Sequence, residues 1–165
     1  MVLRNAKPED LPAILGCIED AKEYQHALGF VQWHDGYPSK ALIESDIESG
    51  IGYVFCENDT VLGYCCILFG KDPAYDGIIG AWKTDGDYGV VHRMAFSRHS
   101  RGRGLSKVAF AMIKDLLHGQ GLDVIRMDTQ EENVVMRHVL EREGFVHCGE
   151  VAFDNGPKLA YEWIR

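Results

Sequence analysis

The sequence is short of positive charge, of patterned cysteine and of long apolar runs. Lys and Arg total 17 against 25 Asp and Glu, a formal net charge of −8. A surface that acidic argues against a general nucleic-acid binder, because cationic contacts to phosphate supply most non-specific affinity. The longest apolar-rich run, Val61–Phe69, is far below the ~20 residues that cross a bilayer. Lys7, Glu9, Asp10, Glu19 and Asp20 interrupt any signal-peptide core near the start. Cys17, Cys56, Cys65, Cys66 and Cys148 fall in no zinc or disulfide frame, and the histidines show no metal-ligand spacing. The expectation is a cytoplasmic protein with reduced thiols, no metal, and neither a membrane nor a nucleic-acid partner.

What is present is ordinary globular material. The chain has 165 residues, 46% of them hydrophobic, and no repeat or low-complexity tract. That length predicts a single domain over residues 1–165, large enough to fold without a disulfide or metal staple. Val2–Asn5 reads as a strand. Pro8-Glu9-Asp10 opens a helix that Leu11, Ile14, Leu15 and Ile18 carry at helical spacing to about His26. Ser39 caps a second helix. Ile51–Glu57 and Val61–Phe69 form a hairpin across Asn58-Asp59. Residues 70–87 are too long for a bare loop and hold a strand or a functional flap. The rest alternates: strand 88–96, helix 105–118, strand 124–128, helix 133–143, strands 145–153 and 159–164. The order predicts a mixed α+β fold with at least one parallel, right-handed crossover.

The chemistry concentrates at Met94-Ala95-Phe96-Ser97-Arg98-His99-Ser100-Arg101-Gly102-Arg103-Gly104-Leu105-Ser106. Here a strand runs into a basic, glycine-bearing turn, and the turn runs into an amphipathic helix. Glycines let backbone N–H groups approach an anion, and the helix N-terminus adds partial positive charge. It is no Walker loop, because Gly-Lys-Ser/Thr is missing, and no dinucleotide fingerprint, because the spacing and the ribose acid are missing. Residues 88–114 carry a charge of +6, which leaves −14 for the remainder. One basic island thus lies on an acidic protein, and the acidic part suits a cationic ligand.

Arg101-Gly102-Arg103-Gly104-Leu105-Ser106 resembles the Arg/Gln-x-x-Gly-x-Gly/Ala signature of the GNAT N-acetyltransferase superfamily. Val91–Phe96 is similar to its central strand. Asn133-Val134-Val135-Met136 through Gly144-Phe145 is similar to its second motif, about 30 residues further on. The Gln32–Pro38 segment also resembles a branch of small bacterial members. The resemblance implies a mostly antiparallel central sheet with helices on both faces, acetyl-CoA as co-substrate, and a small-molecule or peptide amine as acceptor. It also leaves room for a homodimer paired at a sheet edge.

Residue by residue, the resemblance implies a pyrophosphate loop at Arg101, Gly102, Arg103, Gly104, Leu105 and Ser106, acting mainly through backbone N–H groups. Ser106 stands where the signature has Gly or Ala. Met94, Ala95 and Phe96 are implied as the strand that meets the pantetheine arm, with the Met94 N–H polarising the thioester carbonyl. Asn133 is implied at the arm or the adenosine side. His92 is the candidate general base, since imidazole suits proton transfer near neutral pH and strand alternation points it the same way as Met94. Trp33, Tyr37, Tyr53 and Trp82 line an acceptor pocket or simply cover the sheet. Asp128 binds the acceptor's ammonium or caps the following turn. The family often places a tyrosine acid seven residues after the motif asparagine; Leu140 stands there. That departure motivates the alternative of a non-catalytic CoA-binding module.

Overall fold

A computed structural model describes residues 1–34 and 36–165; Asp35, within the Gln32–Pro38 segment, lies outside them. The elements follow the sequence pattern: β1 (Val2–Asn5), α1 (Leu11–Ala27), α2 (Lys40–Glu48), β2 (Gly52–Glu57), β3 (Thr60–Leu68), β4 (Ile79–Gly80), β5 (Gly89–Phe96), α3 (Leu105–Gly119), β6 (Val124–Thr129), α4 (Val134–Arg142), β7 (Val146–Phe153) and β8 (Gly156–Ile164). Asn58 and Asp59 both adopt positive φ, 48° and 63°, as a two-residue hairpin turn requires. The Ser39 hydroxyl accepts the Leu42 N–H at 3.1 Å and caps α2 as expected. The 70–87 connection contains a 3-10 turn at Pro73–Tyr75 and the short strand β4.

The strands form an eight-stranded, mostly antiparallel sheet in the order β1-β2-β3-β5-β6-β8-β7-β4. The strand-helix-strand crossover makes β5 and β6 parallel, pairing Gly89 with Ile125 and Val90 with Arg126. By contacts the chain divides into two compact units. One comprises Met1–Ile67 and Arg93–Ile113, and the other Leu68–His92 and Lys114–Arg165.

The first unit packs Ile14, Cys17 and Ile18 of α1 and Ile43 of α2 with Val54, Cys56, Tyr64 and Ala95 of the sheet. This is the apolar stripe that the helical spacing implied. Within it lies an uncommon backbone conformation: Arg93, inside β5, has φ +55°. For a side-chain-bearing residue that costs roughly 1–2 kcal/mol. The Arg93 guanidinium donates twice to Asp46, Nε to Oδ2 at 3.0 Å and Nη2 to Oδ1 at 2.8 Å. Asp46 also accepts the Tyr64 phenol at 2.6 Å. Burial, then this hydrogen bond, pushes the Tyr64 phenol well above its ordinary range.

The second unit has its own core of Tyr75, Tyr88, Val90, Val124, Val151 and Ala160. A buried pair, Arg126 Nε to Glu162 Oε1 at 2.9 Å, lies inside it. Glu162 also accepts the Lys83 N–H and the Thr84 hydroxyl, and Arg126 donates to the Thr84 carbonyl. The guanidinium sits over the Trp82 and Tyr88 rings, 4.2 and 3.8 Å from their centroids. Such desolvated ions persist because each has several partners. Together they tie residues 82–84 to β6 and β8.

Asp46→Ala should destabilise the protein by about 3–5 kcal/mol, because it leaves a buried guanidinium without its carboxylate. Chemical denaturation should show the loss as a lower midpoint with an unchanged slope.

Candidate active site

The loop after β5 is built by side chains that brace it and by backbone that stays open. Ser97 and Ser100 hydroxyls are 2.7 Å apart, and the Ser97 N–H donates to Leu62 O. Arg98 binds Asp20 and Glu23 of α1. Burial acts to raise Asp20, but the Arg98 hydrogen bonds outweigh it and hold the carboxyl below its ordinary range. Arg101 lies 4.4 Å over the Tyr24 ring and donates to the Asp20 carbonyl. Arg103 donates to Glu57 at 2.8 Å. Arg98 and Arg103 are thus tied to acids, and Arg101 to a carbonyl and a ring, in their own unit, so these arginines act first as braces.

The anion-binding capacity rests on the backbone. Gly102 and Gly104 have φ of +73° and +68°, where a β-carbon is strained. A Cβ built on either would meet nothing within 4 Å, so open space lies over both. Helix α3 begins at Leu105; the Lys107 N–H turns back to Gly104 O at 3.3 Å, and the helix start carries partial positive charge. Such a cradle fits a pyrophosphate. Before the loop, Met94 is half-buried, Ala95 is buried, and the Phe96 ring stacks on Phe55 at 5.2 Å.

His92 lies in the second unit among groups from three elements. Its Nε2 is 2.8 Å from Asp72 Oδ2, and its Nδ1 is 3.5 Å from Asp128 Oδ2. Asp128 accepts the Tyr75 phenol at 2.8 Å, and Lys158 Nζ lies 3.6 Å from its other oxygen. Lys158 also sits 4.1 Å from the Phe153 ring centroid. Burial first, then Asp128, pushes the Tyr75 phenol well above its ordinary range, so it stays a donor. The His92 side chain is 16% exposed, the Asp72 side chain 17% and the Asp128 side chain 5%. Each ring nitrogen of the imidazole thus faces a carboxylate oxygen.

Several sequence expectations are refined here. Alternation does not run unbroken from His92 to Met94, because left-handed Arg93 stands between them. Asp128 faces Tyr75, Lys158 and His92, a role beyond the two considered for it. Trp33 is buried in the first unit's core, and its backbone N–H donates to Gln25 Oε1 at 3.0 Å. Tyr37 is half-buried against the same core. Trp82 packs on Tyr75, to whose carbonyl its indole N–H donates. Packing thus accounts for much of these aromatics' placement. Asn133 caps α4, its Oδ1 accepting the Met136 N–H at 3.1 Å. Leu140 is fully buried on α4. Asp72, Tyr75 and Lys158 had no motif to announce them; the one available signal was Asp72-Pro73, a turn-capping pair inside the suspected flap. Among the described residues no three His, Cys, Asp or Glu side chains are placed to hold a metal, and no helix is long and apolar enough to cross a membrane.

A loop with two left-handed glycines thus joins β5 to the start of α3 in this mixed sheet, a geometry suited to an anion. The Acetyltransferase (GNAT) family model matches residues 16–145, and the chain belongs to that family. A GNAT-family acetyltransferase from Streptococcus agalactiae 2603 is 35% identical, with a TM-score of 0.89 over 99% of this chain and 95% of that one. One from Listeria monocytogenes 4b F2365 is 24% identical, with a TM-score of 0.76 over 99% of this chain and 94% of that one. The aminoglycoside acetyltransferase AAC(6')-Ib, solved in complex with coenzyme A, shares the fold at 18% identity, with a TM-score of 0.70 over 99% and 94%. No curated protein matches the chain in sequence.

Tyr75→Phe should cost about 1–3 kcal/mol, since it removes the phenol donor from a carboxylate whose side chain is almost wholly buried. Thermal or urea unfolding would measure it.

Proposed function

We propose that the protein moves an acetyl group from acetyl-CoA to a primary amine of a small molecule or peptide by direct attack on the thioester. The observation that carries this is His92, braced by Asp72 and Asp128 on the strand that leads into the anion cradle. When bound, acetyl-CoA supplies an activated acyl group. The backbone around Gly102 and Gly104 and the start of α3 would hold its pyrophosphate; the Arg101 N–H is taken by the Arg98 carbonyl. Met94–Phe96 would offer strand edges to the pantetheine arm, with the Met94 N–H directed at the carbonyl oxygen.

His92 takes the proton that the attacking nitrogen must lose. The nitrogen's electron pair forms the new C–N bond, the C–S bond breaks, and the sulfur leaves as thiolate, which takes a proton from solvent. No tyrosine is needed for that last step, because a thiol with a pKa of about 8.5 is a tolerable leaving group. Tyr75 does not serve as the acid, since its phenol is committed to Asp128. Trp82, whose ring packs on Tyr75, and Asp128, which accepts the Tyr75 phenol, are the acceptor-side residues this reading favours.

The second reading is a CoA-binding module without turnover, favoured by the buried Leu140 in place of the family's frequent tyrosine. A thiol-release assay with acetyl-CoA and a broad panel of amines and peptides separates the two. Turnover with at least one acceptor is expected, and His92→Ala should lower kcat about 10²-fold or more while the acetyl-CoA thermal shift persists. A thermal shift with no release from any acceptor would favour the module. In either case Gly104→Val should abolish the thermal shift, because it places a β-branched side chain at φ +68° in the cradle.

A further inference from the structure

The reading above assigns His92 as the base but leaves open which ring nitrogen acts and what holds it. We propose that Asp72 is a positioning residue that fixes His92 with its proton on Nε2, so that Nδ1 is the atom that takes the acceptor's proton. This rests on the assignment of His92 as base and goes beyond it.

The two oxygens of Asp72 have separate tasks. Oδ1 accepts the Ala74 N–H at 2.9 Å and caps the 3-10 turn Pro73–Tyr75, which fixes the carboxylate's orientation. Oδ2 is then held 2.8 Å from His92 Nε2, at hydrogen-bond distance. A carboxylate only accepts, so a bond there requires the proton on Nε2. The opposite tautomer would set the Nε2 lone pair against Oδ2 at that distance.

Asp128 is the weaker competitor for the ring's proton. Its Oδ2 is 3.5 Å from Nδ1 and already accepts the Tyr75 phenol at 2.8 Å. Its Oδ1 faces the Lys158 ammonium at 3.6 Å. The groups around the imidazole are therefore Asp72 from the capped turn, Asp128 from β6, the Tyr75 ring at 6.0 Å and, through Asp128, Lys158 from β8. With Nε2 occupied, the Nδ1 lone pair is the one available to a donor. As the C–N bond forms, the N–H bond of the acceptor breaks and its proton goes to Nδ1. The resulting imidazolium has a carboxylate at each nitrogen, and no charge is left uncompensated in the step.

The first arm of the test reads the tautomer directly and needs no acceptor; the second reads turnover. In ¹⁵N-histidine-labelled protein, with the His92 signals identified by their absence in His92→Ala, neutral His92 should be protonated at Nε2. Asp72→Asn keeps an oxygen for the Ala74 N–H but turns an NH₂ donor toward the ring, so the proton should move to Nδ1. Asp72→Ser keeps the cap and is too short to reach the ring, which guards against a mere loss of the turn. With the panel amine that turns over fastest, both variants should lower kcat by about 10²-fold or more and leave the KM for acetyl-CoA within about twofold. Protonation at Nδ1 in the parent protein, an unmoved proton in Asp72→Asn, or parental kcat in both variants would overturn the proposal. Failure of the base assignment itself is distinct, since it appears as full turnover in His92→Ala whatever the tautomer.

Discussion

The left-handed Arg93 is the constraint on which the central strand depends. A residue with a β-carbon does not adopt φ +55° inside a strand without compensation. Here compensation comes from a two-pronged bond to buried Asp46, which the Tyr64 phenol completes. The pair is desolvated, so its worth lies less in net stability than in the conformation it enforces. That conformation falls between His92 and Met94, the two positions at which proton transfer and carbonyl polarisation are proposed. Strain stored at such a point is a pointer to function, because ordinary strand geometry would have been easier to build.

Charge is organised on the same principle of local neutralisation. The +6 island of residues 88–114 suggests, as a sum, a surface of free cations. In the fold Arg98, Arg101 and Arg103 each engage an acid or a carbonyl of α1 or β2. These ion pairs are largely exposed and contribute little stability individually. Their effect is to hold a loop whose glycines and helix start are proposed to bind the cofactor's pyrophosphate.

Much of this was legible in the sequence, for identifiable reasons. Periodicity over Leu11–Ile18 and the turn residues Asn58-Asp59 encode local structure directly, and the structure has both. The loop was legible because Gly102 and Gly104 are needed for positive φ, and the asparagine of the second motif because it caps α4. The His92 environment was not. The Asp72–Tyr75 turn, Asp128 and Lys158 come from three distant stretches of sequence and meet only through the fold. The strand between His92 and Met94 passes through left-handed Arg93, and nothing in the run Val-His-Arg-Met announces such a residue. The aromatics Trp33, Tyr37 and Trp82 were ambiguous because aromatic side chains suit cores and pockets equally, and core packing claims a large part of each.

The absence of a tyrosine at Leu140 bears on how the chemistry is shared out. Leu140 fills the apolar side of α4, and Tyr75, the fully buried phenol nearest His92, is held as a donor to Asp128. Neither arrangement supplies a proton to a departing sulfur. A thiolate tolerates that lack, whereas an alkylammonium does not become a nucleophile until it loses a proton. In the proposed transfer the demanding step is therefore the one at nitrogen, and there His92 has a carboxylate oxygen facing each ring nitrogen. A capped carboxylate holds one edge of the imidazole, and a second, braced by phenol and lysine, faces the other. Orienting a neutral imidazole and stabilising its cation are the two tasks a base-limited transfer requires.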